Sequence, residues 1–118
     1  MIFLRVFLLI TLLVLSGCDK PASTTSTESV VNSGTLLPQD SEIAALYQRS
    51  CRSCHTIAAT GAPLTGDTSA WAPRMDKGME ALLDSVVNGF GGMPPFGLCM
   101  DCTAEQFEAL IQFMATGE

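Results

Sequence analysis

An all-α fold is expected from this sequence. Three stretches carry apolar residues at helical spacing, none alternates apolar and polar residues as a half-buried strand would, and Gly and Pro clusters separate them. The first begins at Asp40-Ser41, either of which can N-cap a helix that places Ile43, Leu46 and Tyr47 on one face and runs toward Cys51. The second runs from Met79 to Asn88 behind Gly78, with Leu82, Leu83, Val86 and Val87 apolar. The third is the best marked: Thr103-Ala104-Glu105-Gln106 is a capping box, and Phe107, Leu110, Ile111 and Met114 follow as one stripe. Between the first two helices, residues 56–77 contain Gly61, Pro63, Gly66 and Pro73 and read as loop. Gly89, Gly91, Gly92, Pro94 and Pro95 make a second irregular loop before the last helix. No internal repeat is present.

The N-terminus is organised differently. Val6 to Leu15 is almost unbroken apolar sequence behind Arg5, shorter than the roughly 20 residues a membrane-spanning helix needs, and it reads as the apolar region of a secretory signal. Leu15-Ser16-Gly17-Cys18 follows and resembles the lipobox of bacterial lipoproteins, in which the cysteine is acylated after cleavage. Acylation of Cys18 accounts for the odd one of five cysteines; an ordinary signal with a leftover thiol is the alternative. Asp19 directly after it favours retention at the inner membrane. From Asp19 to about Gln39 the chain is rich in Ser and Thr, which reads as a flexible tether or a plain spacer. The expected organisation is a signal peptide over 1–17, a lipidated cysteine and tether over 18–39, and one folded domain over 40–118.

A domain this small has a marginal core, and a disulfide, metal or cofactor is the usual supplement. Its charge excludes one class of partner. The whole chain carries −6, and the domain's basic residues, Arg49, Arg52, Arg74 and Lys77, form no stripe of the kind that binds nucleic acid.

Cys51-Arg52-Ser53-Cys54-His55 is a C-x-x-C-H run. Two thiols at that spacing add across the vinyl groups of haem, and the adjacent histidine then lies beneath the iron as an axial ligand. His55 is the only histidine in the chain, so methionine is the obvious donor for the second axial position of a six-coordinate haem, where a thioether raises the potential relative to a second imidazole. Met75, Met79, Met93, Met100 and Met114 are the candidates. Met114 lies on the apolar stripe of the last helix, and Met100 is pinned between Cys99 and Cys102. Met93, in Gly91-Gly92-Met93-Pro94-Pro95, is in a stiff loop outside every predicted helix and is the favoured ligand. Trp71 and Arg74 fall in the stretch expected to pass the haem propionates, where an indole N–H and a guanidinium find acceptors. The alternative is that Trp71 only packs and Arg74 is solvated. Phe96, Leu98 and Met100 offer an apolar contact patch for a redox partner, with acidic residues steering a basic surface toward it.

The chain from about Ser41 to Met114 resembles the cytochrome c5 family of small bacterial class I cytochromes c. The shared residues are Cys51-x-x-Cys54-His55, Gly61-Ala62-Pro63, Gly66-Asp67, Trp71-Ala72-Pro73-Arg74, Lys77-Gly78-Met79, Asn88-Gly89, Gly92-Met93-Pro94 and Cys99-x-x-Cys102. The resemblance implies helices packed around one covalent haem c, His55 and Met93 on the iron, and a Cys99 to Cys102 disulfide. It also implies a Pro63 carbonyl accepting the Nδ1 proton of His55. Thr56 and Phe96 depart from the family, where a small residue and a Lys are frequent.

The function expected is single-electron transfer in a periplasmic respiratory chain, without bond-making catalysis, between unidentified redox proteins. The rival is an exported zinc-binding module using Cys51, Cys54, Cys99 and Cys102 as a four-thiolate set. An oxidising compartment counts against free thiolates, and zinc leaves His55 and the Met93 loop without a role.

Overall fold

The computed structural model describes residues 32–118; the signal segment, Cys18 and the chain up to residue 31 lie outside it. Among the described residues the only β pairing is an isolated bridge between Phe90 and Met93, and the elements are helices and turns.

Asp40 is the N-cap of α1 (Ser41–Leu46), its carboxylate accepting from the backbone N–H groups of Glu42 and Ile43 at 2.8 and 3.0 Å. The same rod widens into a π-helical turn over Tyr47–Cys51 and resumes as α2 (Arg52–His55). π turns inside α-helices concentrate at functional sites, and this one carries Tyr47 and Ser50 into buried positions.

The stretch expected to be loop contains a helix, α3 (Thr68–Met75). Two glycines and two prolines in 56–77 obscured it. Asp67 supplies its start, with the carboxylate accepting from Ala70 N–H at 3.0 Å and from the Ser69 hydroxyl at 2.7 Å. Pro73 is inside the helix, yet the element has only eight residues and a single Pro removes only one backbone donor. Burial of Trp71 on its inner face offsets that loss.

Helix α4 (Met79–Asn88) has the span expected from the sequence, and α5 (Ala104–Thr116) opens on the expected capping box. The Thr103 hydroxyl accepts from Gln106 N–H at 3.3 Å while the Gln106 side chain accepts from Thr103 N–H at 2.9 Å. Phe107, Leu110, Ile111 and Met114 are buried as expected, and so are Phe113 and Ala115, so α5 is the central core helix, contacted by α1, α3 and α4. Phe113 meets Tyr47 edge to face at 4.9 Å between centroids.

The tether ends earlier than the sequence indicates. Residues 32–39 lie against the domain: Ser33 is buried, Leu36 packs on the core, and Arg52 donates to the Gly34 carbonyl at 2.8 Å. Leu36 on the core and the Arg52 hydrogen bond to Gly34 hold a segment that has no periodicity to announce it.

Capping by Asp67 generates a prediction. Its carboxyl is held below the usual value by hydrogen bonds from Ala70 N–H and the Ser69 hydroxyl. A lowered folded pKa gives stability that is present above the unfolded value and is lost as pH falls through the folded one. Asp67→Ala is therefore expected to cost about 1 kcal/mol near pH 7, with the gap to wild type closing below about pH 4. Urea unfolding of both proteins across pH checks this.

Candidate functional site

A cavity of ≈ 550 Å³ opens among α2, α3, α4, α5 and the 90–98 loop, within the size range of cofactor sites. Its wall is mostly apolar, with Leu82 and Val86 from α4 and Phe107, Leu110 and Ile111 from α5. Cys51, Cys54, His55, Pro63, Trp71, Arg74 and Met93 all reach it. Residues scattered over more than 40 positions of sequence thus converge on one space.

One helical turn separates Cys51 from Cys54, so both thiols face the same side. Cys51 is half-buried, Cys54 is exposed, and neither is in a disulfide. Burial pushes the Cys51 thiol up to about 11. Such a wall favours a neutral sulfur, thiol or thioether, over a thiolate.

His55 is buried. Its Nδ1 is 2.8 Å from the Pro63 carbonyl oxygen, and because a carbonyl can only accept, Nδ1 carries the proton and Nε2 keeps its lone pair. Burial holds the imidazole below its ordinary pKa, with the Arg74 charge acting in the same direction and the Pro63 hydrogen bond opposing. The ring is therefore neutral near pH 7, the state a metal requires of an imidazole ligand.

Met93 is positioned by a tight turn. Phe90 N–H donates to the Met93 carbonyl at 3.1 Å and Met93 N–H to the Phe90 carbonyl at 2.9 Å. The turn has to leave α4 sharply, which Gly89 allows at φ 81°; a Cβ there would sit 2.8 Å from the Met93 carbonyl oxygen. Beyond Pro95 the backbone of Phe96, Gly97 and Leu98 runs left-handed at φ 58°, 54° and 68°. For Phe and Leu that costs about 1 kcal/mol or more each, and the surrounding bonds hold it: Gly97 N–H to Pro94, Cys99 N–H to Phe96, and the Cys99–Cys102 disulfide. Arg49 grips Asp101 inside that disulfide ring with two contacts of 2.8 Å and also reaches Cys99 Sγ at 3.4 Å. The π turn and the disulfide loop are thereby joined.

Of the methionine candidates, Met93 and Met114 line the cavity; Met75, Met79 and Met100 do not, and Met100 is 72% exposed. Trp71 departs from the expected propionate contact. Its indole N–H donates to the Leu64 carbonyl at 2.8 Å, so the one donor it has is already used inside the fold. The ring lies near that of His55, with centroids 5.8 Å apart and planes 28° apart. Arg74 gives one N–H to the Ala70 carbonyl and has others to spare beside the cavity, where Lys77 joins it. The contact patch also needs correcting: Phe96 is half-buried against the core and near Phe107, at 6.4 Å between centroids, because its left-handed backbone is part of the packed loop. Leu98 and Met100 remain exposed, and Phe90, which the sequence did not single out, is 69% exposed beside them on the same loop.

A four-cysteine zinc set is not assembled. Cys99 is bonded to Cys102, and among the described residues no three His, Cys, Asp or Glu side chains are grouped to hold a metal ion. The residues do fit haem. Two free cysteine thiols stand beside an imidazole with a free Nε2 on an apolar wall, two cations are available for carboxylates, and the buried Ser50 hydroxyl on that wall has no partner among the described residues. Nothing in the sequence singled out Ser50, and Lys77 figures there only among the basic and family-shared residues; their place on the cavity follows from how the helices cross.

Comparison with known proteins agrees with this geometry. A family model described as cytochrome C oxidase, cbb3-type, subunit III matches residues 38–114. Cytochrome c5 of Ectopseudomonas mendocina is 38% identical over 72 residues, 59% of this chain and 83% of the relative. Cytochrome c5 of Azotobacter vinelandii is 37% identical over 67 residues, 55% and 81% of the two chains. A chain from a crystal structure of an electron transfer complex of nitrite reductase with cytochrome c superposes with a TM-score of 0.57 at 36% identity, covering 64% of this chain and 93% of that one. With the C-x-x-C-H run on the wall of an apolar cavity and relatives matched over most of their length, the chain belongs to the cytochrome c5 family, monohaem electron-transfer proteins with covalently bound haem c.

Proposed function

We propose that Cys51 and Cys54 form the two thioethers to the haem, that His55 Nε2 and Met93 Sδ are the axial ligands, and that Arg74 and Lys77 face the propionates. The observation that carries this reading is the protonated Nδ1 of His55 at the Pro63 carbonyl, which leaves Nε2 as a lone-pair donor in the cavity that Cys51, Cys54 and Met93 also line. Haem c supplies a one-electron couple. The protein's part is to keep both ligands in place through the electron's arrival and departure, so that little has to move. A rigid Met93 turn and an oriented His55 ring serve that end, as suits an electron carrier.

Partner docking is assigned to Phe90, Leu98 and Met100, exposed apolar side chains on the loop that borders the cavity. Carrier interfaces are small, often under about 1,200 Å², and the acidic balance of the chain suits a basic partner. Acylation at Cys18 places this exchange at the periplasmic face of a membrane, the inner one on the strength of Asp19. Among the described residues no helix is long and apolar enough to cross a membrane.

Met93→Ala is expected to keep haem attached to the Cys51–His55 peptide after acid-acetone extraction, as seen by mass spectrometry, while the reduction potential falls by about 100 mV or more on an axial-ligand scale that spans about 0.8 V. Loss of covalent haem, or an unchanged potential, would remove Met93 from the sixth position. Met100→Glu, outside the cavity lining, is expected to slow electron exchange with a redox partner several-fold at unchanged potential; stopped-flow rates equal to wild type would move the patch elsewhere. Cys18→Ser should release the mature protein from the membrane fraction, and continued membrane association of that variant would count against lipidation.

A further inference from the structure

The residues just after the Pro63 carbonyl are held from three sides. Thr65 N–H donates to the His55 carbonyl at 2.8 Å. Trp71 Nε1 donates to the Leu64 carbonyl at 2.8 Å. The Thr65 and Tyr47 hydroxyls are hydrogen-bonded at 2.9 Å, with both residues fully buried. A peptide unit is planar. The Leu64–Thr65 unit is therefore pinned at both ends, its C=O by Trp71 and its N–H by His55, and Pro63 has its φ fixed by the ring. Little freedom remains for the carbonyl that meets His55 Nδ1. Neither Tyr47 nor Trp71 touches that nitrogen through this bonding; each acts on the segment that presents its acceptor.

We infer that Tyr47, through Thr65, and Trp71, through Leu64, are positioning residues that hold the Pro63 carbonyl on the Nδ1 proton of His55 and so set the donor strength of the imidazole. The inference rests on the assignment of His55 as an iron ligand. A well-aimed acceptor makes the ring a stronger donor, which favours the ferric state; an acceptor allowed to drift weakens the ring and raises the potential. The expected penalty is that of one ordinary hydrogen bond, an exchange rate of the Nδ1 proton about fivefold faster.

Tyr47→Phe is the cleanest test, since it removes only the hydroxyl and keeps the edge-to-face contact with Phe113. Trp71→Phe tests the other anchor, and Thr65→Val removes the Tyr47 bond from its far side. Leu83→Ala serves as the control, because Leu83 packs on the core outside the cavity. In ferrous holoprotein, NMR should show the His55 Nδ1 proton exchanging about fivefold faster in Tyr47→Phe and in Trp71→Phe, with a higher potential in both. The Tyr47→Phe, Thr65→Val double variant should exchange no faster than either single, and Leu83→Ala should match wild type. Exchange and potential unchanged in both variants, or moved equally by Leu83→Ala, would overturn the positioning role. Wild-type ferrous protein lacking a low-spin spectrum would instead overturn the ligand assignment itself.

Discussion

A buried imidazole needs an acceptor for its one N–H, and the rest of this domain can be read as the means of supplying it. His55 is buried, so an unpaired Nδ1 proton would cost on the order of 1–3 kcal/mol. The Pro63 carbonyl meets it at 2.8 Å, and that carbonyl lies in a segment tied to α1's continuation by Tyr47, to α2 by the His55 backbone and to α3 by Trp71. Three helices thus share responsibility for one hydrogen bond. The bond fixes the tautomer, the tautomer leaves Nε2 as a donor, and a donor aimed into an apolar cavity beside two thiols is what a covalently held haem requires.

The same cavity explains how so small a domain stays folded. The core around α5 is well packed on its Tyr47 and Phe113 side, but Leu82, Val86, Phe107 and Ile111 also face the open space between the helices. Apolar walls that meet only water gain nothing from burial. Covalent haem held in that space would cover those walls and add its own apolar surface to the core.

The loop from Gly89 to Cys102 works on a different principle. It has little hydrophobic burial of its own and relies on covalent and hydrogen-bonded closure: the Phe90–Met93 turn, left-handed backbone at Phe96 and Leu98, the disulfide, and the Arg49 grip on Asp101. An iron-to-thioether bond is weak, and stiffness in this loop would hold the Met93 sulfur proposed for it. Exposed apolar residues on the same loop would bring a docking partner close to the cavity without asking the core to open.

The sequence by itself determined the helices at 79–88 and 104–116, the C-x-x-C-H spacing of Cys51, Cys54 and His55, and the singular position of Met93, because each is a local property: a periodicity, a capping box, a spacing of residue types, a loop bounded by Gly and Pro. It misread α3, whose prolines and glycines outweighed the cap at Asp67, and it drew the tether too long, since nothing near Leu36 announces that it packs. Only the tertiary structure decided which partner each polar group takes. The Trp71 N–H has one proton to give, and whether it goes to a propionate or to the Leu64 carbonyl depends on how α3 lies against the segment after Pro63. The same is true of the Tyr47 hydroxyl, of Ser50 on the cavity wall and of Phe96 turned toward Phe107. Such choices depend on how the elements pack against one another in space, which the periodicity of a sequence window does not report even when it contains both partners.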